Sequence, residues 1–304
     1  MNYDRRKFVH TLGAMAAGSL ILPAWACKSG DSGQTQAVET ALDEMAKGSL
    51  DAFGLQLYTL RDDLPKDPKG ILKQVASFGY KQIEGYEGDK GMFWGMGHTG
   101  FKQYLDELGM EMVASHCGIG EGFEEKAVQA GEIGMKYLIC PWIGPQKTLA
   151  DYKKFADQFN ECGEICKQNG LRFAYHNHAY TFEETEGVMP QDFLMDNTDP
   201  ELVDYEMDIY WVVTGGADPV AYMEKYGDRF RLCHVKDRLK DATPDEHEAS
   251  CDLGTGSIDY AKILGIASQK GMKYYILEQE RYDNSTPLKS AEHGAEYLSQ
   301  LVFA

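Results

Sequence analysis

Short apolar runs alternate with longer amphipathic segments along most of this chain. Seven of these runs follow a turn that contains glycine or, in one case, Pro200, and each has the length of a strand. Most end on a side chain that can bind a metal ion or move a proton, namely Glu84, His116, His176, Asp208, His234 and Glu278. With Ala52–Leu60 as the first, we predict eight strands, which are apolar enough to be buried on both faces.

The segments between these runs place apolar residues at helical spacing, as in Pro68–Phe78. We predict eight helices, at Pro68–Phe78, Phe101–Leu108, Phe123–Ile133, Leu149–Gln168, Gln191–Asp196, Pro219–Lys225, Tyr260–Ser268 and Leu288–Leu301. Regular alternation of strand and helix predicts an α/β fold, the (β/α)8 TIM barrel, in a single domain. The long loops Gly88–Gly100 and Asp237–Gly256 follow strands, which places them on the face where such barrels carry their active sites.

The first residues have the pattern of an export signal. Arg5-Arg6-Lys7 is a twin-arginine signature, and the apolar stretch Thr11–Leu22 is too short to span a bilayer. We predict a signal over residues 1–27 that ends in a lipoprotein-like box with Cys27 as the lipidated residue, a flexible tether over residues 28–49 and the barrel over residues 50–304. The protein is thus expected to be exported, either anchored to a membrane through Cys27 or, after ordinary cleavage, free in the periplasm.

Composition narrows the class of partner. The formal net charge is −18, and an acidic surface repels phosphate backbones, so we expect no nucleic-acid partner. The six cysteines after Cys27 form no C-x-x-C pair, and most lie in apolar contexts, which favours buried free thiols over disulfides. The sequence leaves the oligomeric state open.

Three strand ends supply an Asp, a His and a Glu, at Asp208, His234 and Glu278. Such ligands suit one divalent ion, Mn²⁺, Co²⁺, Zn²⁺ or Mg²⁺, with positions open for substrate oxygens. Each also has a structural alternative, since Asp208 could cap the following turn, His234 could be a strand-end histidine satisfied by its hydrogen bonds, and Glu278 could pair with Arg281 or Lys236. We predict a metal site at this end of the barrel.

At these positions the chain resembles the sugar phosphate isomerase/epimerase family of xylose-isomerase-like TIM barrels, over about residues 52–304. The matching stretches are Gly54–Arg61, Ala174–His178, Glu206–Trp211, His234–Asp237, Gly254–Asp259 and Leu277–Glu280. The resemblance implies a fourth metal ligand on the fifth strand, where the family carries a Glu in a Glu-Asn-His pattern. Here the pattern is His176-Asn177-His178, so His176 takes the ligand position, with His178 or Glu183 as alternatives, and one of the family's two metal-bound glutamates is missing.

The resemblance implies a divalent-metal-dependent sugar isomerase or epimerase. A proton would be removed next to a carbonyl, and the ion would hold the resulting enediolate. We predict catalytic roles for His116, His178, Lys236 and Glu278, and substrate contacts for Gln56, Glu84, Trp211 and Glu183. Two alternatives stay open, namely a lyase that eliminates a group from a 3-keto-glycoside or inosose, and a sugar-binding lipoprotein without turnover. In each case the expected ligand is a small sugar or keto-sugar.

Overall fold

The computed structural model describes residues 48–303, and the predicted signal, its Cys27 and the predicted tether up to residue 47 lie outside that range. Eight parallel strands close into a barrel in the order β1-β8-β7-β6-β5-β4-β3-β2. Their bounds are Gly54–Gln56 (β1), Gln82–Tyr86 (β2), Glu111–His116 (β3), Tyr137–Cys140 (β4), Arg172–His176 (β5), Val203–Asp208 (β6), Phe230–Val235 (β7) and Tyr274–Leu277 (β8). A short antiparallel pair, Asp237–Arg238 with Ser250–Cys251, lies in the long loop after β7. The predicted single-domain TIM barrel is confirmed.

Helices pack around the outside of the barrel. Their bounds are Pro68–Ser77 (α1), Gly97–Leu108 (α2), Phe123–Glu132 (α3), Leu149–Gln168 (α4), Pro190–Asp196 (α5), Ile209–Thr214 (α6), Pro219–Tyr226 (α7), Tyr260–Gln269 (α8) and Pro287–Gln300 (α9), with 3₁₀ turns at Leu57–Leu60, Ala179–Phe182 and Gly227–Arg229. Side-chain caps begin several of them, as Thr148 does by accepting the Asp151 N–H at 3.2 Å. No helix in residues 48–303 combines the length and the hydrophobicity that crossing a membrane requires.

One predicted strand was wrong in its bounds, and one helix was not predicted. The first strand is not Ala52–Leu60 but the three residues of β1, because the Gln56 side chain accepts the Tyr58 N–H at 3.0 Å and turns the chain into a 3₁₀ helix. A ninth helix, α6, begins directly after β6, because Asp208 accepts the Trp211 N–H and caps it. Hydrophobic periodicity could show neither feature, since both depend on one side-chain hydrogen bond.

An apolar layer fills the barrel beneath the predicted site. Ala114, Ala174, Leu232 and Ile276 belong to one buried cluster, and each lies two residues before His116, His176, His234 or Glu278. Since alternate residues of a strand share a face, the polar side chains lie on the same inner face, one layer further toward the strand ends. All six cysteines of the described chain are free thiols and five are buried, as predicted, whereas Cys251 is half-buried.

Candidate active site

Four side chains from the ends of β5 to β8 turn their donor atoms toward one another. Nδ1 of His234 lies 3.1 Å from His176 Nε2 and 3.2 Å from Glu278 Oε2. Oδ2 of Asp208 lies 3.4 Å from His176 Nε2 and 3.5 Å from His234 Nδ1. All four donor atoms lie within 4.8 Å of one another, and all four residues are buried. The structure therefore brings the four predicted ligands together.

These separations suit a shared metal ion. Ligand atoms about 2.1 Å from a tetrahedral ion stand ~3.4 Å apart, and the contacts above span 3.1 to 3.5 Å. Asp208 Oδ1 accepts the Trp211 N–H at 2.8 Å, whereas Oδ2 has no hydrogen-bond partner within the described residues. A buried carboxylate oxygen needs a neighbouring positive charge, and a metal ion among the four donors would supply one in addition to the Lys236 ammonium at 3.1 Å. The residues present fit one divalent ion.

Lys236 places a positive charge beside this donor set. Its Nζ lies 2.8 Å from Glu278 Oε2 and 2.8 Å from Glu280 Oε2, and 3.1 Å from Asp208 Oδ2 outside hydrogen-bond geometry. Burial disfavours the ammonium, but the three carboxylates outweigh it and raise the pKa of Lys236 well above its usual value. Lys236 is buried and is not among the residues that line the cavity described below. It is placed to hold the carboxylates, and no direct contact with substrate follows from its position.

A second layer of polar groups fixes which nitrogen of each histidine faces the donor set. Oε1 of Glu84 accepts hydrogen bonds from Gln56 Nε2 at 2.6 Å and His234 Nε2 at 2.7 Å, with His116 Nε2 at 3.2 Å. A proton on His234 Nε2 leaves Nδ1 as the metal-facing atom. Nδ1 of His176 lies 3.4 Å from the Pro141 carbonyl, which leaves Nε2 to face the same centre.

Glu84 and Glu206 form a buried carboxyl pair in this layer. Burial disfavours charge on Glu84, but the facing His116 and His234 rings outweigh it and lower its pKa to about 2. Burial and the charge of Glu84 raise the pKa of Glu206 well above its usual value, which favours its protonated form, and Glu206 Oε1 has no hydrogen-bond partner within the described residues. Its other oxygen, Oε2, accepts from His116 Nε2 at 2.8 Å. Nδ1 of His116 therefore keeps a lone pair.

A cavity of about 370 Å³ opens above these layers. His116, His176, His178 and Glu278 line its floor and sides, and the remaining wall is largely aromatic, formed by Tyr58, Tyr86, Trp142 and Trp211. Burial lowers the pKa of His116 to about 3, and burial with the neighbouring His176 lowers the pKa of His178 well below its usual value, so both rings are neutral. Neutral imidazoles can accept a proton from a substrate.

Three of the residues predicted to contact substrate lie away from this wall. Gln56 and Glu84 are completely buried below the cavity, so the substrate contacts predicted for them do not match their positions, and their place is behind His234. Pairing inside the barrel explains the difference, because Gln56 and Glu84 are register partners on β1 and β2 and their buried side chains bond each other at 2.6 Å. Trp211 lines the cavity as predicted, whereas Glu183 is exposed and lies further out, on a neighbouring compartment.

Sequence reasoning missed Glu206, Glu280 and the exposed Trp142. A signal for the first two was present, because Asp204, Glu206 and Asp208 alternate along β6, and Glu278 and Glu280 have the same spacing after β8. A period of two places such residues on one strand face. Trp142 gave no comparable signal, since it follows β4 in a loop of irregular structure.

Comparison with known proteins places this arrangement among related barrels. The family model described as xylose isomerase-like TIM barrel matches residues 72–301. Inosose dehydratase from Geobacillus kaustophilus (strain HTA426) is 24% identical over 273 residues, which cover 76% of this chain and 86% of that protein. Matches to other inosose dehydratases, from Clostridium tetani and Bacillus cereus, span about half of their length.

Solved structures agree with the fold. A sugar phosphate isomerase/epimerase from Parabacteroides distasonis ATCC 8503 is 27% identical, with a TM-score of 0.71 over 84% of this chain and 98% of that one. The IolI protein, solved with a bound zinc atom, is 15% identical, with a TM-score of 0.63 over 82% of this chain and 98% of that one. At 15% identity, the similarity to the IolI protein shows only a shared fold.

Proposed function

Because this chain belongs to the xylose isomerase-like TIM-barrel family, we propose that it is a divalent-metal-dependent enzyme that removes a proton next to the carbonyl of a carbohydrate. The observation that carries the proposal is the convergence of His176, Asp208, His234 and Glu278 on one point at the floor of an aromatic cavity. Their nitrogen and carboxylate donors suit Mn²⁺, Co²⁺, Zn²⁺ or Mg²⁺.

A divalent ion held by these four residues would act as a Lewis acid that polarises carbonyl and hydroxyl oxygens of a sugar. The chain itself supplies the base. His116 lines the cavity, is neutral, and has its Nε2 proton committed to the Glu206 and Glu84 carboxyls, so Nδ1 is free to take the proton. His178, also neutral and on the cavity wall, is the alternative base.

We favour β-elimination of water or another group as the outcome. At the fifth strand His176 replaces the carboxylate that a pair of metal-bound glutamates would need, and a neutral imidazole occupied by a metal ion is no base. Elimination requires only one base, because the proton that His116 takes from carbon can be passed on to the departing hydroxyl, which then leaves as water. The relatives named inosose dehydratase are in line with this chemistry. Isomerisation or epimerisation is the second candidate, which the Parabacteroides relative at 27% identity favours.

The proposed substrate carries no phosphate. None of the residues lining the cavity is a Lys or Arg, whereas Glu87, Glu278 and Glu280 are among them. A phosphate dianion would be repelled by such a wall. A neutral keto-sugar, inosose or 3-keto-glycoside suits it, and we retain the proposal that the enzyme is exported and meets such compounds in the periplasm or at a membrane surface.

The test is proton exchange in deuterated water with the full chain loaded in turn with each of the four metals. Keto-sugars, inososes and 3-keto-glycosides are followed by NMR, and we expect loss of one C–H signal together with a dehydrated or otherwise eliminated product. A rearranged sugar of unchanged formula would favour isomerisation instead. Exchange at an undiminished rate after complete chelation would contradict the proposal, and sugar affinity without metal or exchange would favour the sugar-binding lipoprotein.

Two variants make the test sharper. Glu278→Gln removes one donor of the metal set and should abolish both metal retention and exchange. Glu280→Gln is the matched control, because Glu280 bonds the same Lys236 at the same 2.8 Å but does not belong to the donor set, so it should retain the metal.

A further inference from the structure

A second compartment adjoins the cavity that holds the candidate metal centre. It has a volume of about 430 Å³ and shares Trp142, His178, Trp211 and Glu280 with the first. Its remaining wall is formed by Pro145, Ala179, Tyr180, Glu183, His247 and Glu248. Because the two spaces have four wall residues in common, one ligand can extend from the inner compartment into the outer one.

Trp142 forms an aromatic surface at the boundary. The indole meets His178 edge to face, with ring centroids 4.5 Å apart, and Tyr180 likewise at 4.7 Å. More than half of its surface, 54%, is nevertheless exposed. An exposed large aromatic side chain at the mouth of a cavity is typical of a binding surface, since its flat face can pack against the C–H face of a sugar.

The loop that carries Trp142 is held in place. The Tyr180 hydroxyl accepts the Ile143 N–H at 3.2 Å, and the Tyr152 hydroxyl accepts the Gln146 N–H at 3.2 Å. The Gln146 side chain donates back to the Ile143 carbonyl at 2.7 Å. A ligand that packs on the indole therefore meets a preorganised surface and loses little affinity to ordering of the loop.

The polar groups of the outer compartment select for hydroxyls. Three carboxylates, those of Glu183, Glu248 and Glu280, lie on its wall, and none of its lining residues is a Lys or Arg. Carboxylates accept hydrogen bonds from sugar hydroxyls and repel phosphates and carboxylates. An aromatic face combined with acceptor oxygens matches a pyranose ring better than a purely apolar group.

We propose that this outer compartment is a subsite for a second sugar ring, so that the substrate is a neutral disaccharide or longer glycoside whose reacting ring lies against His116. The inference rests on the proposed function for the choice of reacting ring. It adds to that function the size of the substrate and the residues, Trp142 and Glu183 foremost, that recognise the part of it that does not react.

The experiment measures dissociation constants by calorimetry for the full chain, without turnover. The probes are methyl α-glucopyranoside as a single ring, maltose, cellobiose and trehalose as two rings, and phenyl glucoside and glucose 6-phosphate as competitors of other chemistry. We expect the best disaccharide to bind about tenfold more tightly than the single ring. Trp142→Ala should reduce that ratio to near one, and Trp142→Phe, which keeps an aromatic face, should preserve most of it.

Glu183→Ala provides a second variant that touches the outer compartment only, and it should also lower the ratio. Equal affinity for one and two rings, or a ratio that Trp142→Ala leaves unchanged in a folded protein, would overturn the subsite. Tightest binding of phenyl glucoside or of glucose 6-phosphate would overturn its assignment to a sugar. Because these measurements need no reaction, a failure of the proposed chemistry would appear in the exchange assay and leave the ratio as an independent result.

Discussion

Replacement of Glu84 by Gln tests whether the layer behind the candidate metal centre controls it. The carboxylate oxygen Oε1 has three donors within 3.2 Å, from Gln56, His234 and His116. An amide that accepts through its oxygen would keep the shape, but it would lose the negative charge that holds the proton on His234 Nε2. The ring would then be free to adopt the other tautomer, with a proton on the Nδ1 atom that faces the ion.

The expected magnitude follows from the loss of charge-assisted hydrogen bonds to a metal-ligating histidine, which lowers metal affinity by about 10–100-fold. That corresponds to about 1.4–2.8 kcal/mol of binding free energy. The assay is competition of the purified protein with a fluorescent chelator for Zn²⁺ or Mn²⁺, with circular dichroism to verify folding. Glu87→Gln is the matched control, because Glu87 lies on the cavity wall but bonds Lys126 and the Gly118 N–H. A folded Glu84→Gln protein with the affinity of the wild type would refute the reasoning.

Three further predictions concern the base, pH and packing. His116→Gln should lower turnover by about 10²–10⁴-fold while metal content by elemental analysis stays at one equivalent; parallel loss of both would place His116 among the ligands. Although burial opposes it, the surrounding carboxylates raise the pKa of His234 well above its usual value in the metal-free protein. Its proton thus stabilises the metal-free fold fully below the unfolded pKa of about 6.5, and this stabilisation is lost as pH rises through the folded pKa. Because the metal must displace that proton, metal affinity should fall about tenfold per pH unit below the folded pKa. Chelator titrations that give a metal affinity independent of pH would contradict this prediction. Gly163→Ala should destabilise the protein to urea by about 1–3 kcal/mol, because the new Cβ would meet a backbone carbonyl at 2.9 Å; Gly100→Ala, also in a helix but with its nearest contact at 3.9 Å, should instead be neutral or stabilising.

Hydrophobic periodicity was sufficient for the barrel but not for the layers within it. The runs that end on His116, His176, Asp208 and His234 are the inner strands, and their last residues converge because parallel strands end on one face. Glu84 was singled out for the same reason, yet the sequence could not show how deep it lies. The depth of a side chain below the cavity depends on strand register and barrel tilt. The same inner-face position can therefore lie beneath the cavity or on its wall.

Residues on loops were the hardest to assign. Glu183 was expected at the substrate, but its position follows from a 3₁₀ turn at Ala179–Phe182 that no periodicity announces. Trp142 belongs to a loop whose conformation is fixed by the hydroxyls of Tyr152 and Tyr180, which are distant in the chain. Contacts of this kind depend on the assembled fold, so the sequence could predict the residues at the floor of the cavity but not those of its wall.

The two carboxylate oxygens of Asp208 serve folding and the proposed metal binding separately. Oδ1 caps a helix through a hydrogen bond within the chain, whereas Oδ2 lies 3.4–3.5 Å from the two histidine nitrogens, a spacing that already suits a shared cation. The chain can therefore fold first and bind the ion afterwards, or fold and bind the ion together. In the proposed metal-dependent enzyme, a chelator should therefore leave the barrel folded but inactive, and readdition of the ion should restore activity without refolding.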